Sequence, residues 1–173
     1  MPNLAEYLHE LDPTQADGPQ TGIIILEEWN NLTGSAVSNL TGNGNFPSKP
    51  TKITTLDKLE YGPRIRRQLR NAHSRVPRAS GDGNYEFWIA GDYSAELWLS
   101  PTNSPFDRQK IASVARSTAT LREWDAQATQ ASGAIPLQAG QHYYIEILHK
   151  ESTGTDHLSV AWRIPGSAKV EII

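Results

Sequence analysis

Tyr85-Glu86-Phe87-Trp88-Ile89-Ala90-Gly91-Asp92-Tyr93-Ser94-Ala95-Glu96-Leu97-Trp98-Leu99 is the stretch that decides the fold. Tyr85, Phe87 and Ile89 share one face, and Ala95, Leu97 and Leu99 repeat the alternation after the turn signal Gly91-Asp92. Successive side chains of a strand point to opposite faces, so a period of two marks strands with one face on a core. The pattern recurs late in the chain. Tyr143, Ile145 and Ile147 alternate with Tyr144, Glu146 and Leu148, while Leu158, Val160, Trp162 and Ile164 face away from His157, Ser159, Ala161 and Arg163.

Weaker strand candidates cover residues 22–26, 52–56, 64–69, 110–115, 134–137 and 168–172. Turn-forming clusters separate them, among them Ser80-Gly81-Asp82-Gly83-Asn84, Ser100-Pro101-Thr102-Asn103, Ala139-Gly140 and Ser152-Thr153-Gly154. About ten short strands so spaced predict an all-β antiparallel sandwich or barrel. Its core would hold Phe87, Leu97, Leu99, Ile145, Ile147, Val160 and Trp162. Two short helical exceptions are expected, one turn at residues 35–40 and a second helix at 121–131. Residues 1–20 read differently. Leu4, Tyr7, Leu8 and Leu11 have helical spacing, Asp12-Pro13 stops the helix, and Asp17-Gly18-Pro19-Gln20 is linker-like. The organisation is therefore a linker or remnant at 1–20 and one domain at 21–173.

Composition excludes several classes. There is no cysteine in the 173 residues, which removes disulfides, thiolate metal sites and cysteine nucleophiles. Sixteen Lys and Arg against nineteen Asp and Glu leave a net charge of −3, so no nucleic-acid partner is expected. No apolar run approaches the roughly 20 residues that span a bilayer, so no membrane insertion is expected. The chain has no Gly-x-Ser-x-Gly elbow, phosphate loop, His-Glu-x-x-His or dinucleotide fingerprint, and the expectation is a protein without catalysis.

Three local features remain. Arg64, Arg66, Arg67, Arg70, Arg75 and Arg78, with His73 among them, form a basic run. It reads either as a polyanion site or as a solvated strand face with structural ion pairs. The acidic overall charge favours the second, and a dibasic processing site is improbable inside a strand. His149 and His157 flank what reads as one hairpin loop, where a two-histidine metal site competes with ordinary hairpin-end polar residues. Asn31-Leu32-Thr33 and Asn39-Leu40-Thr41 match the N-glycosylation sequon, a motif that has meaning only in a secretory pathway.

From Gly22 to Ile173 the chain resembles the protective-antigen-type, or PA-fourteen, domain family. The resemblance rests on Glu28-Trp29, Thr33-Gly34-Ser35-Ala36-Val37, Tyr61-Gly62-Pro63-Arg64-Ile65-Arg66, the stretch quoted above, Tyr143 to Glu151, and Asp156 to Trp162. It implies a β-sandwich module of secreted or surface proteins, found in adhesins, glycosidases and toxins, several of them glycan lectins. In lectin-type members two adjacent aspartates hold a calcium ion that coordinates sugar hydroxyls, assisted by a late loop. Here the first position matches Asp92 and the second is Tyr93, a departure that removes a carboxylate from the site's centre. The expectation is accordingly no metal and no cofactor. Calcium stays open only as a weak alternative at Asp92, with Asp156 as a further oxygen donor.

The expected ligand is a glycan or polysaccharide, met where the 90–95 turn joins the 150–156 loop. Asp92, Ser94, Thr153, Thr155 and Asp156 offer short polar groups, and Tyr93 offers a ring with a hydroxyl handle. The competing reading of Asp92 is a turn aspartate bonding its own backbone. Asn3 to Leu8 and Asp12 to Asp17 resemble the end of a thrombospondin-type calcium repeat that lacks its aspartate-rich first half. This implies an excerpt of a longer extracellular or cell-surface protein, tethered to other domains. The alternative function is a structural spacer or protein-interaction domain with no glycan site.

Overall fold

The computed structural model describes residues 24–65, 68–75, 79–151 and 155–173. The tail at 1–20 lies outside them, as do Arg66, Arg67, Arg78, Ser152, Thr153 and the side chains of Arg64, Arg70, His73, Arg75 and Thr155. Eleven strands run in chain order among the described residues. They are β1 (Ile24–Asn30), β2 (Lys52–Leu56), β3 (Glu60–Ile65), β4 (Gln68–Arg75), β5 (Gly83–Gly91), β6 (Ser94–Leu99), β7 (Gln109–Val114), β8 (Ile135–Leu137), β9 (Tyr144–Lys150), β10 (Thr155–Arg163) and β11 (Glu171–Ile172). A five-residue helix, α1 (Val37–Thr41), follows β1, and a single 3-10 turn covers Ala128–Gln130.

The strands form two sheets. One has the order β2-β1-β4-β9-β6-β7, the other β11-β10-β5-β8, with β3 also paired to β10. Every pairing is antiparallel. The inner faces meet in one core built from Phe87, Ile89, Leu97, Ile145, Val160 and their neighbours. All seven core residues expected from the sequence are buried, Trp162 the least so at 8% exposure.

The period-two reading underestimates burial on the outer faces. All seven residues of β9 are buried, including Tyr144, Glu146 and Leu148, which alternation assigned to the other face. The reason is a second, smaller core. Val37 and Leu40 of α1 pack with Trp29 and Leu148 on the outer side of the six-stranded sheet. The helix is held in place locally, because Asn39 Oδ1 accepts the Ala36 N–H at 3.0 Å and so satisfies one free helix-start donor.

Three other expectations need correction. Residues 64–69 are not one strand; they divide between β3, which pairs with β10, and β4, which pairs with β1 and β9. A run of alternating residues cannot show that the chain changes sheet within it. The helix expected at 121–131 is reduced to the 3-10 turn. Its polar side chains bond backbone elsewhere, with Ala119 N–H to Glu123 Oε2 at 2.5 Å and Ala115 N–H to Gln127 Oε1 at 3.0 Å, in competition with a helical ladder. The strand expected at 168–172 shrinks to Glu171–Ile172.

The connections on either side of the expected site are not hairpins. β5 and β10 belong to one sheet, β6 and β9 to the other, so the β5–β6 and β9–β10 links are arches that cross between sheets.

Truncating the core should show both layers of this packing. Leu97→Ala or Ile147→Ala is expected to cost about 2–5 kcal/mol in denaturant unfolding. Leu40→Ala should fall in the same range although it lies outside the main core. Far-ultraviolet circular dichroism of the unmodified chain should be dominated by strand. Gly62 has φ +121°, and a Cβ there would stand 2.6 Å from the Asp156 carbonyl oxygen. Gly62→Ala should therefore destabilise as strongly as a core truncation, because both the backbone and its neighbour must move.

Candidate functional site

At one end of the sandwich the β5–β6 arch is held from three sides. The Asp92 N–H donates to the His157 carbonyl at 2.9 Å, which ties the arch to β10. The His149 ring, at the end of β9, reaches the Asp92 carbonyl oxygen through Nε2. The Tyr93 N–H donates to Ser117 Oγ at 3.0 Å. Tyr93 takes φ +59°, a left-handed conformation uncommon for a bulky residue. These bonds fix a backbone that sterics alone would disfavour. They leave the side chains of Asp92, Tyr93 and Ser94 partly exposed.

The loop between β7 and β8 forms a third wall that the sequence reading missed. Thr118 N–H donates to the Gly91 carbonyl at 2.9 Å, and Thr118 Oγ1 lies 3.0 Å from His157 Nε2. Thr118 Oγ1 is also within reach of the Gly91 and Thr120 carbonyls, yet a hydroxyl has one proton. With His157 Nε2–H donating to Oγ1, that proton serves one carbonyl and every group is satisfied. Arg122 of the same loop forms a two-point pair with Glu60, at 2.6 and 2.7 Å, and Ser159 donates to Glu60 at 3.1 Å. The Arg122 guanidinium first, and Ser159 with it, holds the Glu60 carboxyl below its usual range. The polar run Arg116-Ser117-Thr118-Ala119-Thr120 was the available sequence signal, since such composition marks a loop.

Behind the arch the polar groups are sealed. His149, Glu151 and Asp156 are all at most 1% exposed. A carbonyl oxygen can only accept, so the His149 contact with Asp92 requires a proton on Nε2. In the neutral ring Nδ1 is then bare, and the Tyr61 hydroxyl donates to it at 2.6 Å. Lys150 Nζ, also buried, donates to the carbonyls of Glu151 at 2.5 Å and Leu32 at 3.3 Å, and burial lowers its pKa.

The residues singled out from the sequence thus divide. Asp92, Tyr93 and Ser94 line the partly open arch, whereas Asp156 lies wholly inside and does not reach the rim. Thr155 is the first residue of β10, opposite Ile65 of β3. His149 and His157 are not exposed hairpin-end residues: they belong to different sheets, both are buried, and each has its own partner. The calcium set of lectin-type members does not fit. The arch offers one carboxylate where two are needed, and the Asp92 carbonyl is taken by His149.

Burial lowers the His157 pKa, with the Asp92 and Glu123 carboxylates pulling the other way. In the unfolded chain the ring titrates near ~6.5, so between the two values the unfolded state binds more protons. The stabilisation is complete above about pH 6.5 and declines as pH falls through that value towards the folded one. Denaturant unfolding at several pH values should show this slope, reduced in His157→Gln relative to the unmodified chain.

The chain has relatives among known proteins. A family model, the PA14 domain, matches residues 78–173. The mouse (Mus musculus) N-acetyl-beta-glucosaminyl-glycoprotein 4-beta-N-acetylgalactosaminyltransferase 1 is 35% identical in an alignment 163 residues long that covers 89% of this chain. The match spans only 15% of the transferase's length. Among solved structures, the PA14 sugar-binding domain from an RTX adhesin superposes with a TM-score of 0.60 at 12% identity, covering 87% of this chain and 94% of that one. The Epithelial Adhesin 9 A domain from Candida glabrata, in complex with Galb1-3GlcNAc, gives 0.59 at 10% identity, over 90% and 88% of the two chains. The arches, the two-sheet sandwich and the match over more than half the chain lead to one conclusion: this chain belongs to the PA14 domain family.

Proposed function

We propose that the chain is a non-catalytic carbohydrate-binding module of a longer surface or secreted protein. It binds a neutral glycan at the β5–β6 arch without calcium. The observation that carries this reading is the arch itself. Tyr93 is held by backbone bonds with its ring partly open, and Asp92 and Ser94 flank it with oxygens suited to sugar hydroxyls. An aromatic face beside short polar groups is the usual chemistry of sugar recognition. The likeness to the RTX adhesin's sugar-binding domain and to a glycan-bound adhesin supports the same reading. The similarity to part of a glycosyltransferase suits a module that holds a glycan beside another domain's chemistry.

Ser117 and Thr118 enter as supports for Tyr93 and His157, and the buried Asp156 as a positioning group rather than a sugar contact. A protein-interaction role draws on a different observation. Phe106, in the loop before β7, is 77% exposed, and in that role it would be the apolar side chain a partner covers.

A glycan array with and without chelator tests the reading, followed by chemical-shift mapping with the best ligand. Shifts should cluster at Asp92, Tyr93, Ser94 and Ser117 and be unchanged by chelator. Single-site affinity should lie around millimolar to micromolar, about 4–8 kcal/mol. Tyr93→Gly is the sharpest variant. Glycine accepts φ +59° without strain, so the melting temperature should hold or rise while sugar affinity falls about tenfold or more, roughly 1.4 kcal/mol. Shifts around Phe106 with a protein ligand, and none with any glycan, would transfer the assignment to the protein-contact role.

A further inference from the structure

His149, Glu151 and Asp156 come from the end of β9, the arch after it and the start of β10. One donor atom from each lies within 4.8 Å of the other two, and all three residues are sealed from solvent. His149 Nδ1 and Asp156 Oδ1 are 3.5 Å apart. Two ligands of a tetrahedral ion, each bonded at ~2.0–2.1 Å, stand about 3.4 Å apart, so this pair already has the span of a metal's ligand edge.

The imidazole is also oriented as a ligand. Metal-binding histidines almost always donate the second ring N–H to a carbonyl or carboxylate, which fixes the tautomer. Here Nε2 donates to the Asp92 carbonyl and leaves the Nδ1 lone pair on the side of Asp156. The Tyr61 hydroxyl, 2.6 Å from Nδ1, holds that lone pair and must release it for an ion to take its place.

Charge is compatible with the same reading. Two carboxylates in one sealed pocket require a compensating positive charge. A divalent ion is one source. Lys150, buried beside Glu151 and within the field of its carboxylate, is a rival source, as are Arg64, opposite Asp156 in the β3–β10 ladder, and Arg70, opposite His149 in the β4–β9 ladder. One imidazole nitrogen with two carboxylates suits a first-row transition ion such as zinc, whereas calcium prefers six to eight oxygens.

We infer that His149, Glu151 and Asp156 form a structural zinc-type site beneath the β5–β6 arch. It differs from the calcium site of lectin-type members in donor set, metal and role. It uses no side chain of the Asp92-Tyr93 pair, and no sugar hydroxyl reaches it. Through Nε2 of its histidine it holds the Asp92 carbonyl, so the ion sets the arch from behind.

The test uses the tag-free full chain, stripped with chelator and titrated with zinc chloride alone. Calorimetry should show one saturable equivalent, and the melting temperature should rise by several degrees. Glu151→Gln and Asp156→Asn should each weaken zinc at least tenfold, and His142→Gln, at an exposed position, should not. Cobalt needs no variant, so it reports even if a substituted chain fails to fold. Bound to the unmodified chain, it should give the intense visible bands of a low-coordinate nitrogen–oxygen site. No saturable zinc uptake, as expected if Lys150 and the arginines balance the carboxylates, would overturn the inference. So would zinc binding that survives both carboxylate substitutions, or preferential binding of calcium.

Discussion

The hydrogen bond from the Asp92 N–H to the His157 carbonyl extends the β5–β10 ladder one step past its last strand pair, Gly91 opposite Leu158. Much of the end of the sandwich follows from it. With the amide of Asp92 fixed on β10, its carbonyl is turned towards β9, where the His149 ring meets it. The chain must then reverse within one residue to enter β6, and Tyr93 absorbs that reversal at positive φ. Neither arch could hold this shape alone. A loop that bridges two sheets lacks the ladder of a hairpin, so its backbone groups need partners from elsewhere. Here they come from β10, from an imidazole and from the Ser117–Thr118 segment of the third loop.

Much of the sandwich was legible because alternation is a direct consequence of strand geometry. Phe87, Leu97, Ile145 and Val160 could be placed in the core from spacing alone, and the one-turn helix near 35–40 was visible in a short polar and apolar run. What alternation could not reveal was which strands share a sheet. Several strand partners here are distant in sequence, as with β4 and β9, and the division of residues 64–69 between β3 and β4 leaves no compositional trace. It could not reveal the second core either. Leu148 reads as an outward residue until α1, more than a hundred residues earlier, is known to cover it.

The site was half legible. Asp92-Tyr93-Ser94 stood out as a turn with an aromatic residue, and the meeting of the 90–95 turn with the late segment is there in the His157 and His149 contacts with Asp92. Asp156 misled because a short acidic residue next to a loop usually faces water. Its burial depends on Gly62, whose missing side chain lets β3 lie directly against the Asp156 backbone. Ser117 and Thr118 were hidden by a helical reading of the neighbouring residues. Their value comes from reaching Tyr93 and His157 across the fold, a relation that no local window contains.

The position of β9 bears on how the molecule assembles. This strand lies between β4 and β6, so Lys150 pairs with Leu69 on one side and Ser94 on the other. A polypeptide emerging in order makes β1, β2 and β4 long before β9, the second partner of β4, exists, and β6 waits likewise for β9. Both strands keep a bare edge through most of synthesis, which invites pairing with other chains. Closing such long loops also places the fold among slow, β-rich folders on the millisecond-to-second scale. The β5–β6 arch gains its shape only when β9 and β10 arrive, so the Tyr93 surface and the completed fold appear together. A partly made chain would expose its edges without presenting the Tyr93 surface.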